Sequence, residues 1–326
     1  MDKNIISNLR LTYKLSNGVD ISYKINNTSF MYPKYSEEDL NKILKEEYFE
    51  KIRKEFNNIK SKIIYYSRGE SNISFNEAKR YLNEIITIDE FETKIENNHF
   101  LLEIKEGVEL YRAVRIQNDN GEINKKFHPI KWREINPTPS LQRLNKKDEQ
   151  MFYLAGHPRV AIEEVGVKSK NEKFIIYKYK ILDTFFVIPL QINPFLDNRF
   201  SNELKEYGDF ITKTLNEIFS VKNNINDQAY LISNYIKDTY YSLNRRDKYE
   251  GWSYVSVAFK EAIDYKHEYN KKSIGWICLA LPKDTYEKYI DLKNVTCIAY
   301  NYTDSEFREL EDEIGNVMKV ERGEIN

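Results

Sequence analysis

The sequence predicts an α+β chain built around a mixed sheet. From residue 101 onward, strand-like apolar runs and helical patterns alternate irregularly, without the βαβ period of a doubly wound parallel sheet. The first hundred residues carry mostly helical periodicity. With 41% hydrophobic and 14% aromatic residues, the 326-residue chain has enough apolar surface for a sizeable core, which excludes a disordered polypeptide. That length suits one main domain and a smaller one, and the predicted division is a mostly helical unit at 1–100 and a larger unit at 101–326.

Taken in order, residues 1–30 read as short strands or loops. Ser36 with Asp39 three positions on resembles a capping box. Leu40, Ile43, Leu44, Tyr48, Ile52, Phe56, Ile59 and Ile63 then recur at helical spacing, and Gly69 stands where a C-cap glycine belongs. Lys and Glu alternate on the opposite face, as on a solvated helix surface. Ser74 with Glu77 opens a second helix through Ala78, Tyr81, Leu82, Ile85 and Ile86. Strands are predicted at 109–116, 151–155, 174–182, 185–190, 252–257, 274–281 and 295–300, and helices at 158–165, 202–219 and 228–243. No repeat period or low-complexity tract interrupts them.

Composition and missing motifs exclude several functions. Fifty Lys and Arg against 51 Asp and Glu give a net charge of -1, so the basic excess of a dedicated nucleic-acid binder is absent. Cys278 and Cys297 are the only cysteines, each inside an apolar run, which fits a reducing compartment and excludes a disulfide framework. With no apolar leader at Met1-Asp2-Lys3-Asn4, the expected location is cytoplasmic, and the longest apolar stretch, 274–281, is too short to span a bilayer. His99, His128, His157 and His267 are scattered and none has a ligand-spaced partner, so no metal site is expected. The glycine signatures of dinucleotide and P-loop folds are missing, as are the serine-hydrolase elbow and the zinc-protease helix.

Four segments place polar side chains within core-like sequence. In Leu110-Tyr111-Arg112-Ala113-Val114-Arg115-Ile116, strand alternation puts Arg112 on the apolar row of Leu110, Val114 and Ile116, and turns Arg115 to the other side. An arginine on such a row needs an anionic partner, either an internal carboxylate or a ligand phosphate. Gln142-Arg143-Leu144-Asn145 is a polar loop after Pro137-Thr138-Pro139. Met151-Phe152-Tyr153-Leu154-Ala155 is a short strand leading through His157-Pro158 to a helix, with Pro158 at its first position. The helical period groups Glu164 with Val160, Ala161 and Val165 and turns Glu163 away by about 100°. Glu164 is thus the carboxylate drawn to the apolar side, as a salt-bridged structural residue or a catalytic one. In Tyr249-Glu250-Gly251-Trp252-Ser253-Tyr254-Val255-Ser256-Val257, Ser256 shares a strand face with Trp252 and Tyr254. No His/Asp arrangement makes it a nucleophile.

The ordered set L-Y-R-A, Q-R-L-N, F-Y-L-A with A-I-E-E-V, and Y-E-G-W-S-Y-V-S-V resembles the RES domain family, named for its Arg, Glu and Ser. Members show a Y-R-A-R-like strand, a G-R-x-N loop, a strand leading into an A-x-x-E helix, and a later y-D-G-i-x-Y-p-S segment. The resemblance covers residues 105–282, and the 230–236 segment is similar to the helix that precedes the serine segment in the family. Val114, Gln142, Glu250 and Val255 depart from the pattern. What the resemblance implies is a fold related to ADP-ribosyltransferase toxins, with NAD as substrate and no resident cofactor. It implies cleavage of the nicotinamide–ribose bond by water or phosphate, and, for many members, a bacterial toxin held by a helix-turn-helix antitoxin. A helical segment similar to 1–100 precedes the domain in larger members. Matched position by position, the catalytic set becomes Arg112, Glu164 and Ser256, with Arg143, Tyr153, Asn145 and Tyr111 around the dinucleotide.

The residue types suit that chemistry. A pyrophosphate calls for guanidinium donors such as Arg112 and Arg143. Departure of nicotinamide leaves an oxocarbenium-like ribose, which a fixed carboxylate such as Glu164 stabilises. Tyr153 is a candidate for stacking on a ring of the dinucleotide, and Ser256 for donating to a phosphate or ribose oxygen. Two other readings stand beside this one. In the first, a protein side chain accepts the ADP-ribose, as in a mono-ADP-ribosyltransferase. In the second, the chain is a catalytically silent interaction module in which Arg112 and Glu164 pair with each other.

Overall fold

A computed structural model of the chain describes residues 3–14, 20–31, 46–86, 101–115, 140–166, 173–190, 202–221, 227–241, 249–256, 277–302, 307–309, 320–321 and 324–325. The main sheet contains β1 (Lys3–Lys14), β2 (Asp20–Met31), β3 (Leu101–Ile104), β4 (Glu109–Arg115), β5 (Met151–Ala155), β6 (Lys173–Lys180), β7 (Phe185–Pro189), β8 (Trp252–Val255), β9 (Ile277–Pro282), β10 (Thr296–Tyr302) and β11 (Phe307–Glu309). Their spatial order is β1-β2-β3-β7-β8-β9-β5-β4-β6-β10-β11. Neighbours run antiparallel except β7 and β8, whose parallel pairing makes the sheet mixed. β12 (Val320–Glu321) and β13 (Glu324–Ile325) form a separate two-stranded sheet beside β10. The described helices are α1 (Glu46–Ser67), α2 (Phe75–Ile86), α3 (Pro158–Val165), α4 (Asn202–Ser220), α5 (Gln228–Tyr240) and α6 (Lys283–Tyr289). The molecule is α+β.

Strand alternation divides the core in two. One set, including Ala113, Ala155, Ile176, Trp252, Tyr254 and Cys278, packs with Ile63 of α1, Leu82 of α2, Val160 of α3, Phe219 of α4 and Ile232 of α5. The alternate set, including Leu110, Phe152, Leu154, Tyr177 and Leu279, packs with Tyr286 and Tyr289 of α6. Both faces of the central strands are therefore covered. This accounts for the continuous burial of Ile277-Cys278-Leu279-Ala280-Leu281 where one solvated face would leave every second residue exposed.

The N-terminal segment differs from its reading as a separate, mostly helical unit. β1 and β2 form a long antiparallel hairpin that joins the main sheet where Phe30 pairs with Leu102. The α1–α2 pair buries Ile63, Ile64, Ala78 and Leu82 in the core that also holds α4 and α5. Tyr235 and Tyr240 of α5 both donate to Asn83 Oδ1 of α2, at 2.8 and 2.5 Å, and Lys60 of α1 pairs with Glu217 of α4. Described residues on both sides of position 100 thus pair in one sheet and pack in one of its two cores. The many Asn and Lys in β1 and β2 blunt the apolar alternation that would have marked them as long strands.

Local signals fare better. Gly69 takes φ 73°, and Gly69 N donates to Tyr66 O and Glu70 N to Tyr65 O, closing α1 with a left-handed residue. At the start of α2, Glu77 N donates to Ser74 Oγ and Ser74 N donates to Glu77 Oε2, a reciprocal capping box. Ser74 N and Ser74 Oγ, both donating to Glu77 Oε2, hold the Glu77 carboxyl below the usual carboxylate range. The Ser36/Asp39 start, Pro137-Thr138-Pro139, Ile116, Val257, and His99, His128 and His267 lie outside the described residues.

Candidate functional site

Glu164 reaches its position through β5 and α3. His157 caps α3, its Nδ1 accepting from Arg159 N at 3.3 Å, and Pro158 follows in the first turn, where its missing N–H costs nothing. Val160, Ala161 and Ile162 bury the helix against the sheet. In the last turn the two glutamates reverse the assignment made from the helical period. Glu163 is the enclosed one, within 3.6 Å of Arg159 with both side chains only 10% exposed, whereas Glu164 is exposed. The helix is too short for its average period to settle the tilt of its final turn.

Ser256 arrives from β8. Gly251 lets that strand approach β9 closely, since a Cβ there would lie 2.8 Å from both Ala280 O and Leu281 Cδ2. Trp252 and Tyr254 face the helical layer, and Ser256 continues their row, fully buried. Its Oγ donates to Glu164 Oε1 at 2.5 Å. The structure thus brings together two of the sequence-predicted groups, a buried hydroxyl and an exposed carboxylate.

The Gln142–Asn145 loop joins the same face. Gln142 and Asn145 form an isolated antiparallel bridge. Tyr153 OH donates to Asn145 Oδ1 at 2.8 Å and accepts from Leu144 N at 3.0 Å. Both Asn145 amide protons go to carbonyls, of Ser140 and Lys146. The side-chain bonds of Asn145 and Tyr153, expected to serve a dinucleotide, instead shape the loop, which leaves Arg143 as its half-exposed cation. Tyr111 lies on this face too, its hydroxyl donating to Glu109 Oε2 at 3.1 Å.

Arg112 is not with them. β4 turns Tyr111, Ala113 and Arg115 toward the helices and Leu110, Arg112 and Val114 to the other core. The Arg112 guanidinium lies 5.3 Å from the centre of the Phe152 ring, beside Tyr177 and Tyr179, and burial lowers its pKa. The apolar row predicted for Arg112 exists, but it is the row facing away from Glu164 and Ser256. The convergence of Arg112 with those two residues is therefore corrected, whereas Arg115 does lie on the side opposite Arg112, which is the side of Glu164. Arg115 stacks near Phe174 and donates through Nη2 to the carbonyl of Gly166, directly after α3. A one-residue parity decides which arginine shares a face with the carboxylate, and each row of β4 carries one arginine and one fully buried residue, Leu110 or Ala113, so the pattern alone carried no sign.

Electrostatics tie the face together. Burial, reinforced by the Glu164 carboxylate, pushes the Tyr254 phenol and the Cys278 thiol well up, while Arg143 acts on both in the opposite sense. Burial likewise raises Tyr153, again opposed by Arg143. Carboxylate and guanidinium thus flank a neutral phenol and a neutral thiol. Tyr254 was visible in the sequence as a row-mate of Ser256, and Cys278 only as an apolar-strand residue.

Among the described residues, no three His, Cys, Asp or Glu side chains are grouped to hold a metal ion, and no helix is long and apolar enough to cross a membrane. Comparison with family models, with curated proteins and with solved structures yields no match.

Proposed function

We propose that the chain consumes NAD, cleaving the bond between nicotinamide and ribose with water or inorganic phosphate as acceptor, on an ADP-ribosyltransferase-like RES domain. The observation that carries this reading is the Ser256–Glu164 hydrogen bond, which fixes an exposed carboxylate on a buried hydroxyl. In the reaction, the ribose–nitrogen bond breaks with its electron pair going to nicotinamide. Glu164 stabilises the positive charge that develops on the ribose, and the acceptor oxygen closes the new bond while its proton leaves to solvent. Ser256 holds the carboxylate in one orientation, so little reorganisation accompanies charge development. Arg143 is the guanidinium for the pyrophosphate. Arg112, across the sheet, has no part in binding.

The interaction-module reading required Arg112 and Glu164 to neutralise each other, and they occupy opposite faces. A toxin role with an inhibitor protein as partner, in the cytoplasm and without nucleic-acid or membrane contact, follows from the resemblance and belongs to the same proposal. Incubation with NAD labelled in the adenylate half tests it. Free ADP-ribose or its phosphate, released with nicotinamide, supports the reading. Label on a protein band supports ADP-ribosyl transfer to protein instead, and intact NAD contradicts both.

A further inference from the structure

One face of α5 is polar where a buried helix face is normally apolar. Ser233, Asn234 and Lys237 are 1%, 4% and 1% exposed, and all three are directed at the loop that carries Arg143. Ser233 Oγ donates to the Arg143 carbonyl at 2.6 Å, and Asn234 Nδ2 to the Gln142 carbonyl at 2.7 Å. Lys237 Nζ lies 3.0 Å from both oxygens of Glu149, whose Oε2 also accepts the Lys146 amide at 2.8 Å. Beyond the ion pair, Lys237 sits 5.0 Å from the Trp252 ring centre, and Trp252 Nε1 donates to the carbonyl of Tyr241 at the end of α5. The lysine therefore stands between the Arg143 loop and the strand that leads to Ser256.

We propose that Lys237 is a positioning residue that sets the Arg143 loop for anion binding, with Glu149 as its counter-charge. An ammonium is taken out of water only where partners compensate it; Asp238 Oδ1, on the next residue of α5, lies 3.4 Å away, and the partners outside the helix, Glu149 and Trp252, belong to elements of the candidate site. A packing role alone would be filled by Leu or Met, which match the neighbouring Ile232 and Ile236. The kinetic side of the proposal rests on the NAD-consuming reading, and the structural side does not.

The test uses the full chain with Lys237→Met, with Glu149→Gln, and with each combined with Arg143→Ala. Glu149→Gln keeps an acceptor for the Lys146 amide and guards against a Lys237→Met chain that fails to fold. Both single variants are expected to raise KM for NAD about tenfold with kcat within about twofold, and to add nothing to Arg143→Ala. Amide hydrogen exchange at 142–149 is expected to accelerate about tenfold in the same variants. Unchanged exchange in a folded variant overturns the positioning role even if NAD turnover is intact. So does a fall in kcat at constant KM. A wild-type chain without NAD turnover overturns the kinetic side together with the proposed function, and is told apart by being seen before any substitution.

Discussion

Ser256 Oγ donates to Glu164 Oε1 at 2.5 Å across 92 positions of sequence, joining the end of β8 to the last turn of α3. A fully buried hydroxyl holding an exposed carboxylate orients that carboxylate without neutralising it. Removing the hydroxyl therefore costs orientation. Ser256→Ala is expected to lower kcat for NAD cleavage about tenfold, the effect of one hydrogen bond to a charged group. Steady-state kinetics with an unchanged melting temperature check it.

Arg112 and Arg143 separate in a second experiment. Arg112 is half-buried beside Phe152, Tyr177 and Tyr179 on the face away from Glu164. Arg112→Ala is expected to lower unfolding stability by about 2–4 kcal/mol, through lost packing and lost charge contacts, and to leave kcat of the folded fraction within about threefold. Arg143→Ala is expected to do the reverse, raising KM with little change in stability. Denaturant titration beside initial-rate measurements on both variants decides it. A folded Arg112→Ala chain with no turnover would return Arg112 to the reaction.

How far the sequence reached is clearest on β4. Strand, helix and loop segments of the larger unit were legible because their apolar periods are strong, and the Gly69 and Ser74/Glu77 signals because caps are local chemistry. The direction in which the Arg112 row faces was not legible. Both rows of β4 pack into a core although one of them is Glu109, Tyr111, Ala113 and Arg115, and only tertiary packing of α3 against the sheet shows which row faces the carboxylate. Lys237 left a fainter trace, as a cation one turn after Ser233 on a helix whose adjoining face is Ile232 and Ile236. The four-residue β3 and seven-residue α6 are too short to show a period at all.

Arg115 gives a third prediction. Its contact with the Gly166 carbonyl ties β4 to the C-terminal end of the helix that carries Glu164, where a cation is favoured by the helix dipole. Arg115→Ala is expected to lower kcat about fivefold and to speed amide exchange in the last turn of α3. Wild-type rates with wild-type exchange would show that the Gly166 contact does not position the helix.

Alkaline pH supplies a fourth. In the folded state Cys278 and Tyr254 hold their protons above the ordinary values of 9.0 and 10.0, chiefly through burial. An unfolded chain loses those protons first, so folding binds protons in this range and stability falls as pH rises. The contribution is present in full below 9.0 and declines from there toward the raised folded values. Melting temperatures between pH 8 and pH 11 are expected to fall, and Tyr254→Phe to make the fall shallower. An identical slope in Tyr254→Phe would show that other groups carry it.

The carboxylate itself is the most direct point of attack. Release of nicotinamide from NAD by the purified chain, measured beside its Glu164→Gln variant, is expected to show turnover in the first and a kcat lower by about 10²–10³-fold in the second, with the fold retained. Equal rates in the two proteins, or no release by the unaltered chain, would contradict the account.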